Sequence, residues 1–186
     1  MTEEAFFELI EPALKDLGST AEEGEEFREP PLDVLGYYRR GVRLNWVPWF
    51  GQGVSVVAVV RQPVDIGFST AEYTKLLTRL AMAVNGRYPP FGKGRHPKGL
   101  SLGLTAVVLT PEPIGPGDDA VLQTIVTGRP LPRQRAVPLG VIRANLGQEG
   151  LAFALTSDPE EVFSEPLVIA DALTPHFRRY VSLLEI

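Results

Sequence analysis

The chain has 186 residues, 44% of them hydrophobic and 22% charged, with no cysteine and a formal net charge of −5. That balance fits one folded domain with a buried core and excludes disorder throughout. The absence of cysteine removes disulfides, thiolate nucleophiles and cysteine-held metals, and no run approaches the roughly 20 apolar residues of a membrane span. The charge is uneven: residues 1–30 hold ten acids against two bases, and residues 31–186 thirteen acids against sixteen bases. An acidic end on a mildly basic body suits solvation, an acidic tail folded over its own basic face, or a partner.

The opening MTEEAFFELIEPALKDLG is acidic and amphipathic, unlike a secretory leader, so a cytoplasmic protein is expected. Phe6, Phe7, Leu9, Ile10, Ala13, Leu14 and Leu17 predict a helix over 3–17 with Gly18 as its stop. Residues 18–31 read as an acidic flexible linker to a body spanning 32–186, giving a single-domain organisation. Tyr37–Tyr38, Val42–Trp46 and Val54–Arg61 are rich in β-branched and aromatic residues and predict strands. Val54–Val60 is apolar on both sides and is expected to be central.

The period then becomes helical. Ser69 and Glu72 match a capping box, and Tyr73, Leu76, Leu77, Leu80, Ala81 and Val84 continue the stripe to Gly86. LSLGLTAVVLT (100–110) predicts a strand, and Asp118 or Asp119 can cap a short helix over 119–127. AVPLGVIRAN and GLAFALT predict a hairpin joined through LGQEG. Asp158, Pro159 and Glu161 mark a helix start that Pro166 is expected to break, with another start at Thr174. The fold class expected is α+β: a predominantly antiparallel sheet of about 5–6 strands, helices packed mainly on one face, in the order α-β-β-β-α-β-α-β-β-α. Strand alternation sets Leu102, Leu104, Ala106 and Val108 against Gly103, Thr105 and Val107, and Leu151 and Phe153 against Ala152 and Ala154. One face is expected to be bulky and helix-covered, and the other small enough to invite a second subunit or a partner.

Gly99-Leu100-Ser101-Leu102-Gly103 matches G-x-S-x-G, but a nucleophile elbow needs a strand before the serine and a helix after it, and here the order is reversed. No phosphate-binding loop is present. The two histidines, His96 and His176, lie eighty residues apart, so no metal site and no cofactor are expected.

Two stretches without acids remain as binding candidates. Arg87, Lys93, Arg95, His96 and Lys98 form one, and Arg129, Arg133, Arg135 and Arg143 the other. Both lead into strands, so they can form a basic rim at one end of the sheet, suited to nucleic acid, another anion or an acidic protein segment. Tyr37, Tyr38, Trp46 and Trp49, interleaved with Arg43, have the composition of an interaction hot spot.

The order of elements is similar in arrangement to that of small acidic α+β dimers such as the type III secretion chaperones, with an extra strand and helix across 100–127. That similarity implies a dimer that binds segments of client proteins. The function expected is a non-catalytic protein-interaction module, chaperone- or adaptor-like, acting as a homodimer away from membranes. The alternatives are a nucleic-acid or other anion-binding protein using 87–98 and 129–143, and an enzyme with no recognisable motif.

Overall fold

A computed structural model describes residues 1–22, 32–43, 52–87, 101–127, 136–156 and 163–179. The elements are α1 (Glu3–Asp16), β1 (Thr20–Ala21), β2 (Val34–Arg43), β3 (Gln52–Arg61), α2 (Thr70–Arg87), β4 (Ser101–Leu109), α3 (Asp118–Val126), β5 (Ala136–Asn145), β6 (Gly150–Leu155), α4 (Glu165–Leu173) and β7 (Arg178–Arg179). The string of elements coincides with the expected one plus a final strand, but the strands do not correspond one to one: Tyr37, Tyr38 and Val42, expected in two separate strands, lie in the single strand β2, and β1 is an addition. The fold is α+β, and its seven strands form one sheet in the order β1-β2-β3-β4-β5-β6-β7.

The sheet is mixed, not predominantly antiparallel. β2 and β6 run antiparallel to β3 and β5, and the three central strands β3, β4 and β5 are parallel. The reason is covalent: α2 and α3 each carry the chain from the end of one strand back to the start of the next, and a crossover of that kind joins parallel neighbours. The strand count exceeds expectation because β1 and β7 have two residues each, too few to show a period. β1 falls within the stretch read as linker, pairing Thr20 with Arg39 and Ala21 with Tyr38.

Local chemistry sets the helix ends. At the end of α1, Gly18 adopts φ 83°, the Ser19 amide donates to the Leu14 carbonyl at 3.0 Å and the Gly18 amide to Lys15 at 2.8 Å. This is a Schellman stop, which a side chain at Gly18 would strain. At the start of α2 the Glu72 amide donates to Ser69 Oγ at 3.2 Å, the forward half of the expected capping box. Gly117, not an aspartate, stands before α3. Pro166 does not break a helix. It lies in the first turn of α4, where its missing amide has no partner to lose.

Helices cover both faces of the sheet. α2 and α3 pack on Val56, Ala58, Leu104, Ala106, Val108, Val141 and Ala154. α1 and α4 cover Val57, Val59, Val107, Ile142, Ala144 and Leu151 through Phe6, Ile10, Leu14, Ile169 and Leu173. Two expectations are corrected together: helices are not confined to one face, and no face is uniformly bulky. Alternation fixes the two sides of each strand but not which side joins which across the sheet. The bulky side of β4 thus shares a face with Ala152 and Ala154 of β6. β3 is central, as expected, with Val56–Val60 at 0–1% exposure.

Candidate functional site

The two ends of the parallel strands differ in chemistry. At the carboxyl end Arg143 of β5, 1% exposed, fills the space between the start of α2 and the start of α3. Its Nη1 donates to Asp118 Oδ2 at 2.6 Å and to the Pro113 carbonyl at 3.2 Å; its Nη2 meets Glu112 Oε2 at 3.1 Å and its Nε donates to the Tyr73 hydroxyl at 3.2 Å. The guanidinium also lies 4.0 Å from the centre of the Phe68 ring. The Tyr73 hydroxyl in turn donates to Gln62 Oε1 at 2.9 Å, and burial pushes its phenol up to about 12. The sequence places Arg143 with the basic loops; the structure buries it at the far end of the sheet as a keystone. Beside it, Asp119 accepts from the Phe153 amide of β6 at 2.8 Å and from Arg179 at 2.9 Å, while the Arg179 guanidinium covers the Phe153 ring.

Four connections are anchored at the amino end. The residues that bracket 44–51 are Arg43 and Gln52, register partners on β2 and β3. The stretch 88–100 runs from the end of α2 to Ser101, which pairs with Gly53, and 128–135 rejoins the sheet at Ala136, which pairs with Leu102. The stretch 157–162 leaves beyond Leu155, the partner of Gly140 near the start of β5. All four pairs of anchors belong to the same end.

Just inside this end, on the α1/α4 face, lies a buried polar cluster. Arg40 of β2 pairs in register with Ser55 of β3, Ser55 with Gly103 of β4, and Thr105 with Gly140 of β5. Directly paired residues share a face, so these five look the same way. The first turn of α4 lands on them. A Cβ on Gly140 would come 2.7 Å from Pro166 Cβ, and one on Gly103 would overlap the Leu139 side chain and reach within 3.1 Å of Phe163. The small residues are therefore a seat for α4. Glu165, 1% exposed, reaches from this seat to Arg40, whose Nε donates to its Oε1 at 2.5 Å. Arg40 and Gly140 are three strand spacings apart, about 14 Å, so the ion pair bridges β3 and β4 above Ser55 and Thr105. Yet Ser55 Oγ, Thr105 Oγ1 and Glu165 Oε2 are all buried without a hydrogen-bond partner. Each such atom costs about 1–3 kcal/mol.

The structure separates the residues expected to act together. Tyr37 and Tyr38 are 2% and 5% exposed. They belong to opposite faces, Tyr37 in the α2/α3 core and Tyr38 in the α1/α4 core. The Tyr38 hydroxyl donates to Glu11 Oε1 at 2.8 Å, and burial together with that carboxylate holds its phenol above the ordinary tyrosine range. Arg43 ends β2 and Arg87 ends α2. Trp46, Trp49, Lys93, Arg95, His96, Lys98, Arg129, Arg133 and Arg135 lie outside the described residues, as does the helix start expected at 158–161. Ser101 begins β4, with a strand after it as the sequence indicates. Among the described residues no group of His, Asp or Glu is placed to hold a metal ion, and no helix is long and apolar enough to cross a membrane.

Sequence reasoning missed the Arg40–Ser55–Thr105–Glu165 cluster. Its available signal was two hydroxyls facing the same side as glycines in otherwise apolar strands, followed by a glutamate next to a first-turn proline. Comparison with protein-family models, with curated proteins and with solved structures finds no match to this chain.

Proposed function

We propose that this chain is a non-catalytic recognition module that binds an acidic protein segment at the amino-terminal end of its parallel strands. The observation that carries the reading is the common anchoring of 44–51, 88–100 and 128–135 at that end. Those stretches hold Trp46, Trp49, Lys93, Arg95, His96, Lys98, Arg129, Arg133 and Arg135, and no aspartate or glutamate; the fourth connection at that end, 157–162, holds Asp158, Glu160 and Glu161, which leaves the bases in excess. Aromatic rings and arginines dominate interaction hot spots, and a cationic surface steers and orients an acidic partner. The expected homodimer rested on an open sheet face, whereas α2 and α3 cover one face and α1 and α4 the other. The interaction reading therefore moves to the loop end.

Both tryptophans of the chain fall in 44–51, so tryptophan fluorescence reads this end directly. Titration with a glutamate-rich peptide is expected to shift the emission saturably, and added salt to weaken the response. The double variant Arg95→Glu/Arg133→Glu is expected to lose it. Tighter binding of a single-stranded oligonucleotide, falling steeply with salt, would replace this reading by the nucleic-acid one. No response to either ligand would end both.

A further inference from the structure

We infer that Arg40, Ser55 and Thr105 form a receptor for a small oxyanion, a carboxylate or a phosphate group, and that the chain's own Glu165 occupies it as a built-in plug. The donor set has the right chemistry: a guanidinium and two hydroxyls belong to one face of three adjacent strands, a face kept smooth by Gly103 and Gly140. Such a set matches an anion with several acceptor oxygens. Glu165 matches it only in part. Its Oε1 takes the Arg40 bond, while its Oε2 and both hydroxyls, buried to 0–1% residue exposure, are left without partners. A better occupant would accept from all three groups. The partial positive charge at the amino end of α4 favours an anion at the same place. Glu165 is held there by the first turn of α4, so withdrawing the plug means lifting Phe163 and Pro166 from their glycine seats.

This inference rests on the reading above for the side from which the anion enters, but its test needs no peptide. Thermal midpoints of the full chain are measured in inorganic phosphate and in glutarate, each against sodium chloride at equal ionic strength. The natural chain is expected to respond weakly to both anions. Glu165→Ala and the less disruptive Glu165→Gln are expected to show a saturable rise, with apparent affinity tighter by about 10-fold or more once the internal competitor is gone. Adding Ser55→Ala and Thr105→Val should cancel that rise. A response to phosphate alone assigns the site to phosphate groups, and a response to glutarate alone to carboxylates. In the natural chain, Thr105→Val should raise the midpoint, because an idle buried hydroxyl is replaced by a methyl. Folded Glu165 variants that ignore both anions would overturn the inference, as would a rise that survives loss of both hydroxyls. An anion response without peptide binding would keep the plug and discard the partner.

Discussion

Replacing Arg143 by methionine tests whether the carboxyl end of the sheet is held by a buried charge or merely filled by a long side chain. Methionine keeps much of the volume and apolar contact, so the change isolates the guanidinium. The natural group is 1% exposed and bonds to Asp118, Glu112, Tyr73 and the Pro113 carbonyl. Removing one member of a buried pair costs about 3–5 kcal/mol, mostly because the partner stays behind without its counter-charge. Here the abandoned carboxylates differ: the Glu112 side chain is 40% exposed and can turn to water, while Asp118 is 15% exposed and cannot easily do so. The loss should therefore fall near the bottom of that range, about 3 kcal/mol. For a chain of this size it lowers the thermal midpoint by about 6–12 °C. Urea denaturation with an unchanged slope is the assay. Adding Asp118→Asn should restore part of the loss, since the stranded charge is then gone. A loss under about 1 kcal/mol, or strict additivity of the two changes, would refute the keystone reading.

The remaining expectations concern other parts of the molecule. An unfolded tyrosine ionises near 10 and Tyr73 in the fold near about 12; the native state therefore keeps a proton that the unfolded state gives up between those values. The resulting contribution, about 2–3 kcal/mol, is complete below pH 10 and lost as pH rises toward 12. Stability curves for Tyr73→Phe should be flatter in that window. Gly140→Ala should cost about 1–3 kcal/mol by pushing Pro166 off its seat, speeding hydrogen exchange in α4. Gly41→Ala, with nothing within 4 Å of the added methyl, should change the thermal midpoint little. Gly18→Ala should cost about 1 kcal/mol through its φ of 83°, read in the same melts.

Much of the element inventory was legible from period alone. The helix expected over 3–17 is Glu3–Asp16, and the hairpin strands expected from Ala136 and Gly150 begin there. What period cannot convey is the relation between strands. It marks Leu104 and Thr105 as opposite each other, yet it does not say that Thr105 shares a face with Gly140, because a shift in register between Leu104 and Thr105 intervenes. Pro166 misled for a related reason: a proline interrupts a helix already under way but is welcome in a first turn, and only knowing that α4 begins at Glu165 separates the two. The polar cluster escaped notice because its members come from residues 40, 55, 105 and 165, and only the sheet brings them together. Arg143 reads with the loop cations because no acid separates it in sequence from Arg129, Arg133 and Arg135, whereas its neighbours in space are acids.

The Asp119 carboxylate on the Phe153 amide guards an edge of the sheet. An outermost strand with idle amides is a template on which another chain can lay down a strand and begin a fibre. Here a carboxylate takes the middle amide of β6, the two-residue β7 takes the start of that strand, and the Arg179 guanidinium lies over the Phe153 ring. Strand addition is thereby opposed from Gly150 to Phe153, and Asp119→Ala should make the protein more prone to form fibrils without touching its hydrophobic core.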